Sequence, residues 1–100
     1  MQNHPKKLLV IIAEAALEKL LVEDILRLGA HGYTVLDARG DGTRGKRQAS
    51  WEGDSSIRVE VICDEATAER IADHVSETYF TNYAVTLYVA DVRVQRSSKF

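Results

Sequence analysis

Residues Gly32 to Arg47 read G-Y-T-V-L-D-A-R-G-D-G-T-R-G-K-R, a short strand that runs directly into a loop rich in glycine and arginine. Gly40, Gly42 and Gly45 let the backbone approach a ligand closely and take up positive φ, while Arg39, Arg44, Lys46 and Arg47 set four cations against the single Asp41. This is the pattern of an anion-binding loop, and phosphate is its natural guest. A guanidinium presents paired donors to adjacent oxygens, and a charge-assisted hydrogen bond contributes roughly 1.5–3 kcal/mol.

The elements on either side of this stretch fix the fold. Upstream, Lys7 to Ala13 is continuously apolar after the lysine, as expected of a central strand buried on both faces. Leu17, Leu20, Leu21, Ile25 and Leu28 then follow helical spacing, and Gly29 stands where a left-handed cap would close the helix. Tyr33 to Asp37 forms the second strand. Downstream of the loop, Ile57, Val59, Val61 and Cys63 alternate with Arg58 and Glu60, a third strand with one wetter face. Asp64 is placed to cap a second helix carrying Ala68, Ile71, Ala72, Val75 and Tyr79, and a fourth strand runs from near Tyr83 towards Gln95.

This order, βαββαβ, predicts an α+β ferredoxin-like sandwich in which both helices cover one face of an antiparallel sheet, as a single domain over residues 1–100. Leu8, Val10 and Ile12 point to one face of the first strand and Leu9, Ile11 and Ala13 to the other, yet there is helix enough for one face only; self-association is the economical remedy. In the last strand Val85, Leu87 and Val89 share one parity and Val92 and Val94 the other, which predicts a bulge near Ala90 and Asp91. The connection between strands two and three, about residues 39–56, is far longer than the roughly 2–5 residues a hairpin needs, and long connections in compact domains are mostly functional or disordered. Trp51, among Ser50, Glu52, Gly53 and Asp54, reads either as an anchor for a partner protein or as a staple folded back onto its own sheet.

Composition sets limits on function. One hundred residues, 45% of them hydrophobic, suffice for one compact domain and not for two. A net charge of −2 argues against a dedicated nucleic-acid binder, because the positive charge is local and Glu52 and Asp54 follow it. An RNA-recognition module shares the element order, but the third strand, Ile57 to Cys63, carries no ring on which a base would stack. No run is long or apolar enough to enter a membrane. Leu8 to Ala13 is followed directly by an amphipathic helix rather than a cleavage site, so a cytoplasmic protein is expected. Cys63 reads as a small buried apolar residue, and His4, His31 and His74 lack metal-ligand spacing. Glu65, Glu69, Asp73 and Glu77 recur every fourth residue, a solvated helix face, and no nucleophile stands near a base in sequence; a non-enzyme is expected.

Together, L-V-I-I at Leu9 to Ile12, G-Y-T-V at Gly32 to Val35, G-x-G-x-R at Gly40 to Arg44 with Arg47 beyond it, and Y-F-T-N-Y-A followed by L-Y-V at Leu87 to Val89 resemble the PII-like signalling proteins over nearly the whole chain. They are more similar to the subgroup associated with bicarbonate transporters and carboxysomes than to the nitrogen-signalling members, whose glycine-rich B-loop after the second helix and T-loop tyrosine have no counterpart. The cysteine-bearing C-terminal extension of many bicarbonate-transporter regulators also has no counterpart after Arg96 to Phe100, so redox control and the hydrolysis linked to it are not expected. The resemblance implies a homotrimer with an adenine nucleotide, ADP, AMP, ATP or cyclic AMP, in each of three clefts between subunits. It assigns Gly32, Tyr33, Thr34 and Val35 to the adenine, with Thr34 at the ring edge, and Gly40, Gly42, Arg44 and Arg47 at the base of the T-loop to the phosphates. It assigns Tyr88, Val89 and Ala90 of the neighbouring subunit to the far wall, with Arg93 or Arg96 adding charge. Bicarbonate as a coupled anion, and a bicarbonate transporter or carboxysome-associated protein as partner through Trp51, are further implications. A slow nucleotide hydrolase using Asp41, or a binding module for another anionic metabolite, are the alternatives.

Overall fold

A computed structural model of the chain describes residues 3–40 and 55–100. The order is β1 (His4–Glu14), a 3-10 turn (Ala15–Leu17), α1 (Glu18–Arg27), β2 (Thr34–Ala38), β3 (Ser56–Cys63), α2 (Glu65–Tyr79), β4 (Thr86–Val94) and a closing 3-10 turn (Ser97–Lys99). The strands form one antiparallel sheet in the order β2-β3-β1-β4, the ferredoxin-like arrangement that the sequence predicts. Strand β1 outruns the expected Lys7 to Ala13 at both ends, because β4 reaches back to pair Val94 with His4.

Alternation along the strands divides the sheet into two unlike faces. Leu9, Ile11 and Ala13 of β1 and Ile57, Val59, Val61 and Cys63 of β3 pack against Leu17, Leu21 and Ile25 from the α1 side and Ala68, Ile71, Val75 and Tyr79 of α2. Leu9, Ile11, Leu21, Ile25, Val59, Val61, Ile71 and Val75 are fully buried, and each such side chain contributes about 1.5–3 kcal/mol relative to exposure. The opposite face carries Leu8, Val10 and Ile12 of β1, Leu36 of β2, Ile62 of β3 and Tyr88, Val92 and Val94 of β4, and neither α1 nor α2 covers it.

The expected bulge near Ala90 and Asp91 is absent. Pairing of β1 with β4 runs unbroken from His4–Val94 to Ile12–Thr86. The change of parity has another cause: the apolar side chains follow the cover. Leu87 packs against the core under the helices, whereas further along the same face Val89 is half exposed and Asp91 bonds Lys7, which also pairs with Glu65 at the start of α2. Where helix cover ends, a charge replaces the apolar residue, and Val92 and Val94 turn to the other face.

Local signals end and start the helices. Gly29 has φ +117°, and the amides of Gly29 and Ala30 donate to Leu26 O and Ile25 O, the paired bonds of a Schellman cap. Arg70 of α2 seals that cap by donating from Nε to Leu28 O at 3.2 Å and from a terminal nitrogen to Thr67 Oγ1 at 3.0 Å. A Cβ on residue 29 would come within 3.0 Å of the same guanidinium. The carboxylate of Asp64 accepts from Thr67 N at 2.8 Å and starts α2. Cys63 is buried, as its place in the alternation predicts, and burial pushes its thiol above the usual range.

The helices are also tied to each other. Asp24 of α1 accepts from Tyr79 Oη at 2.6 Å, lies 2.9 Å from His74 Nε2 and accepts from Arg27 at 3.2 Å. Burial pushes the Asp24 carboxyl up, but the bonds from Tyr79, His74 and Arg27 together outweigh it and hold the group below the usual carboxylate range. A folded-state value below the unfolded one contributes stability above the unfolded pKa, lost as pH falls through the folded one. Asp24→Asn is therefore expected to cost about 1 kcal/mol at pH 7, with the gap from the parent closing as pH falls below about 4. Urea midpoints at fixed protomer concentration across pH 3–7 check this, and a gap that stays constant to pH 3 would show that the carboxylate charge is not what the contact uses.

Candidate functional site

The base of the long connection is closed by a strand pair. Ala38 faces Ser56 across β2 and β3, and Ala15 N donates to Ser55 O at 2.8 Å, which brings the start of the α1 segment against the returning chain. Gly40 lies exposed just past β2, and for neither it nor Gly32 would a Cβ come within 4 Å of a described atom outside its chain neighbours. Gly40 does not adopt the positive φ expected of it. Among the described residues nothing crowds its main chain, the condition for an incoming ligand to reach it. Gly42, Arg44, Arg47 and Trp51 lie outside the described residues, as do Asp41, Gly45 and Lys46.

The remaining predicted residues fall into two groups. Gly32 and Tyr33 lead into β2, which Thr34 and Val35 open; Val35 packs on the core, Thr34 faces away from the helices, and Tyr33 is exposed beside an open groove of about 470 Å³ lined by Ala15, Glu18, Lys19 and Val22. Tyr88, Val89, Ala90 and Arg93 are on β4, all exposed. Strands β2 and β4 are the two edges of the sheet, with β3 and β1 between them. Three inter-strand steps separate the groups by roughly 14 Å of sheet, so each group stands at its own free edge.

One cluster escaped the sequence reading. On the face without helices, Arg58 Nε donates to Glu60 Oε2 at 2.8 Å, and the Arg58 guanidinium stands 6.0 Å from the centroid of the Tyr88 ring, a cation–π contact that reaches across β1. The strand bridged in this way is β1 at Val10, paired with Glu60 on one side and Tyr88 on the other, and Val10 is fully buried with no helix above it. The alternation of Arg58 and Glu60 marked a wet face; their meeting with Tyr88 depends on strand order. Among the described residues, no three His, Cys, Asp or Glu side chains gather as a metal ion would require.

Comparison with known proteins agrees with this architecture. The family model described as nitrogen regulatory protein P-II matches residues 6–99. A PII-like signaling protein of Thermus thermophilus is 48% identical, with a TM-score of 0.86 over 100% of this chain and 99% of that one. CPII of Thiomonas intermedia K12, in a structure bound to ADP and bicarbonate, is 25% identical with a TM-score of 0.86, covering 99% of this chain and 97% of its own. CPII bound to ADP, AMP and acetate matches at 25% identity and the same TM-score, over 100% of this chain and 98% of that one. The trimer is the assembly typical of PII-like proteins.

The uncovered face supplies a test of assembly. Leu36 is 44% exposed on that face and lies beside Arg58 in the β2–β3 register. Leu36→Lys adds a further cation to a surface that association through this face must dehydrate, so the oligomer is expected to dissociate at higher protein concentration while the circular dichroism of the subunit is unchanged. Light scattering across a dilution series reads this directly. A mass that never changes would place the subunit contact elsewhere.

Proposed function

The chain belongs to the P-II regulatory protein family, and we propose that it is a nucleotide-responsive regulator that binds ADP or AMP in clefts between the subunits of a homotrimer. The observation that carries this reading is the division of the candidate residues between the two edges of one sheet, which a ring of copies reunites. CPII, with ADP and bicarbonate bound, supports the choice of ligand. In this reading the start of β2, Gly32 to Val35, lines the adenine with Thr34 at its edge. Gly40, Gly42, Arg44 and Arg47 receive the phosphates, and Tyr88 to Ala90 with Arg93 of the next subunit close the cleft. Arginine suits this task because its planar fork matches two phosphate oxygens at once.

The protein acts by population shift rather than by chemistry. Nucleotide and a small anion such as bicarbonate bias the arrangement of the 39–56 connection, and one arrangement docks on a partner in inorganic carbon uptake through Trp51. In this reading the protein is a member of the bicarbonate-linked part of the family and works in the cytoplasm.

Calorimetry with ADP, AMP, cyclic AMP and ATP, each with and without bicarbonate and with the mass recorded in the same buffer, tests the reading. Micromolar ADP or AMP binding to a trimer is expected, and no binding by any of the four would overturn it. Arg47→Ala is expected to weaken ADP binding by about tenfold to a hundredfold without changing the mass. Complementation tests the shared cleft. Gly40→Asp spoils the β2 half and Arg93→Glu the β4 half, so each variant alone should fail to bind, whereas mixed trimers should regain an intact cleft in each ring. Mixed rings that bind nothing would mean that both halves serve the same cleft from one chain.

A further inference from the structure

We infer that Arg58 and Glu60 form a polar contact between copies of this chain, each copy's Arg58 donating to the next copy's Glu60, and that this contact makes closure of the ring selective. The inference rests on the homotrimer proposed above and adds which residues govern its formation.

The argument begins with what the pair leaves unused. Arg58 has five N–H donors, and among the described residues its side-chain hydrogen bond is the one from Nε to Glu60 Oε2. Glu60 keeps its second oxygen. Both side chains are about one-third exposed, 36% for Arg58 and 30% for Glu60, so in the free subunit water completes their bonding. They sit in the middle of an apolar surface: Leu36 lies beside Arg58 on β2, Ile12 opposite it on β1, Val10 opposite Glu60, and Ile62 next along β3. The other charged side chains on this face, Lys6 and Glu14, are at the two ends of β1.

When a second copy covers this face, water leaves. A buried charge pair repays its dehydration only if its remaining donors and lone pairs are also satisfied. Arg58 brings surplus donors and Glu60 surplus acceptor capacity, and Tyr88 holds the guanidinium from the far side of β1. A surface carrying both signs side by side is self-complementary around a rotation axis: each copy donates to one neighbour and accepts from the other, and the circuit closes. Apolar contact alone drives association without fixing register; a dehydrated charge pair penalises every arrangement that leaves it unmatched.

The test compares association with subunit stability. The parent is first confirmed as a trimer by light scattering; a parent of another mass would defeat the trimer reading itself, whatever the variants do. Arg58→Met leaves Glu60 solvated in the free subunit but unpaired in the assembly. Trimer dissociation is therefore expected at about a hundredfold higher concentration, with circular dichroism unchanged. Arg58→Lys, which keeps the charge but not the fork, should lie between the two. In Arg58→Met with Glu60→Leu, no charge remains to bury, and assembly should return, now with masses other than the trimer. Unaltered dissociation of Arg58→Met would overturn the inference, and so would a double variant that dissociates as readily as the single one. Loss of the subunit's own fold in Arg58→Met would also overturn it, because the pair would then serve the single chain.

Discussion

Strand β1 is apolar on both faces, and the described helices cover only one of them. Leu9, Ile11 and Ala13 close a core with α1 and α2, whereas Leu8, Val10 and Ile12 look out from the same strand onto a surface that no other described element of the subunit covers. A central strand of this kind cannot be satisfied by one subunit. The subunit answers in part by its own means: the long side chains of Arg58 and Tyr88 reach towards each other across β1 on the face where Val10 is fully buried. The rest of the face is left for a neighbour.

The two faces are finished to different degrees. On the helix side every device is intramolecular: the Schellman cap at Gly29 sealed by Arg70, the Asp64 cap, and the Asp24 carboxylate binding Tyr79, His74 and Arg27. These contacts tie α1 to α2 within the subunit. On the sheet side the polar groups retain unspent bonding capacity and the apolar groups retain exposed area. The subunit is thus closed on its helix side and open on its sheet side, and its candidate ligand residues lie on the two free edges of that sheet.

Much of this was legible in the sequence because it depends on short-range pattern. The apolar run of β1, Gly29 as a left-handed cap and Asp64 as an N-cap each state their role within a few residues and are found as read; of the helical series from Leu17 to Leu28, Leu17, Leu21 and Ile25 enter the core while Leu20 is half exposed. The bulge near Ala90 was misread because parity was taken to report backbone geometry, when it reported the limit of helix cover at Lys7 and Asp91. The contact of Arg58 with Tyr88 was out of reach for another reason. Their strands are not paired with each other, so their meeting requires the strand order and both registers with β1 at once. Asp24 and Tyr79 meet across 55 positions of sequence, beyond any local pattern. For the loop, residue types alone argue for an anion: Arg44 and Arg47, to which the proposal gives that role, lie outside the described residues.

The strands that would hold the ligand are the strands that would hold the neighbour. Arg58 lies two residues beyond Ser56, where the long connection rejoins the sheet, and its guanidinium faces Tyr88 on the edge strand assigned to the next cleft. Anything that draws the loop base towards a phosphate pulls on β3 at Ser56, and β3 carries Arg58 rigidly because its register with β1 is continuous from Glu14–Ser56 to Lys7–Cys63. A displacement there cannot be absorbed by slipping the strand, since a shift of one residue would turn Ile57, Val59 and Val61 out of the core. It must be taken up instead by side chains on the uncovered face or by the contact between copies. If nucleotide binds at the loop base as proposed, β3 is the element through which occupancy of one cleft would bear on the fit of the adjoining subunit.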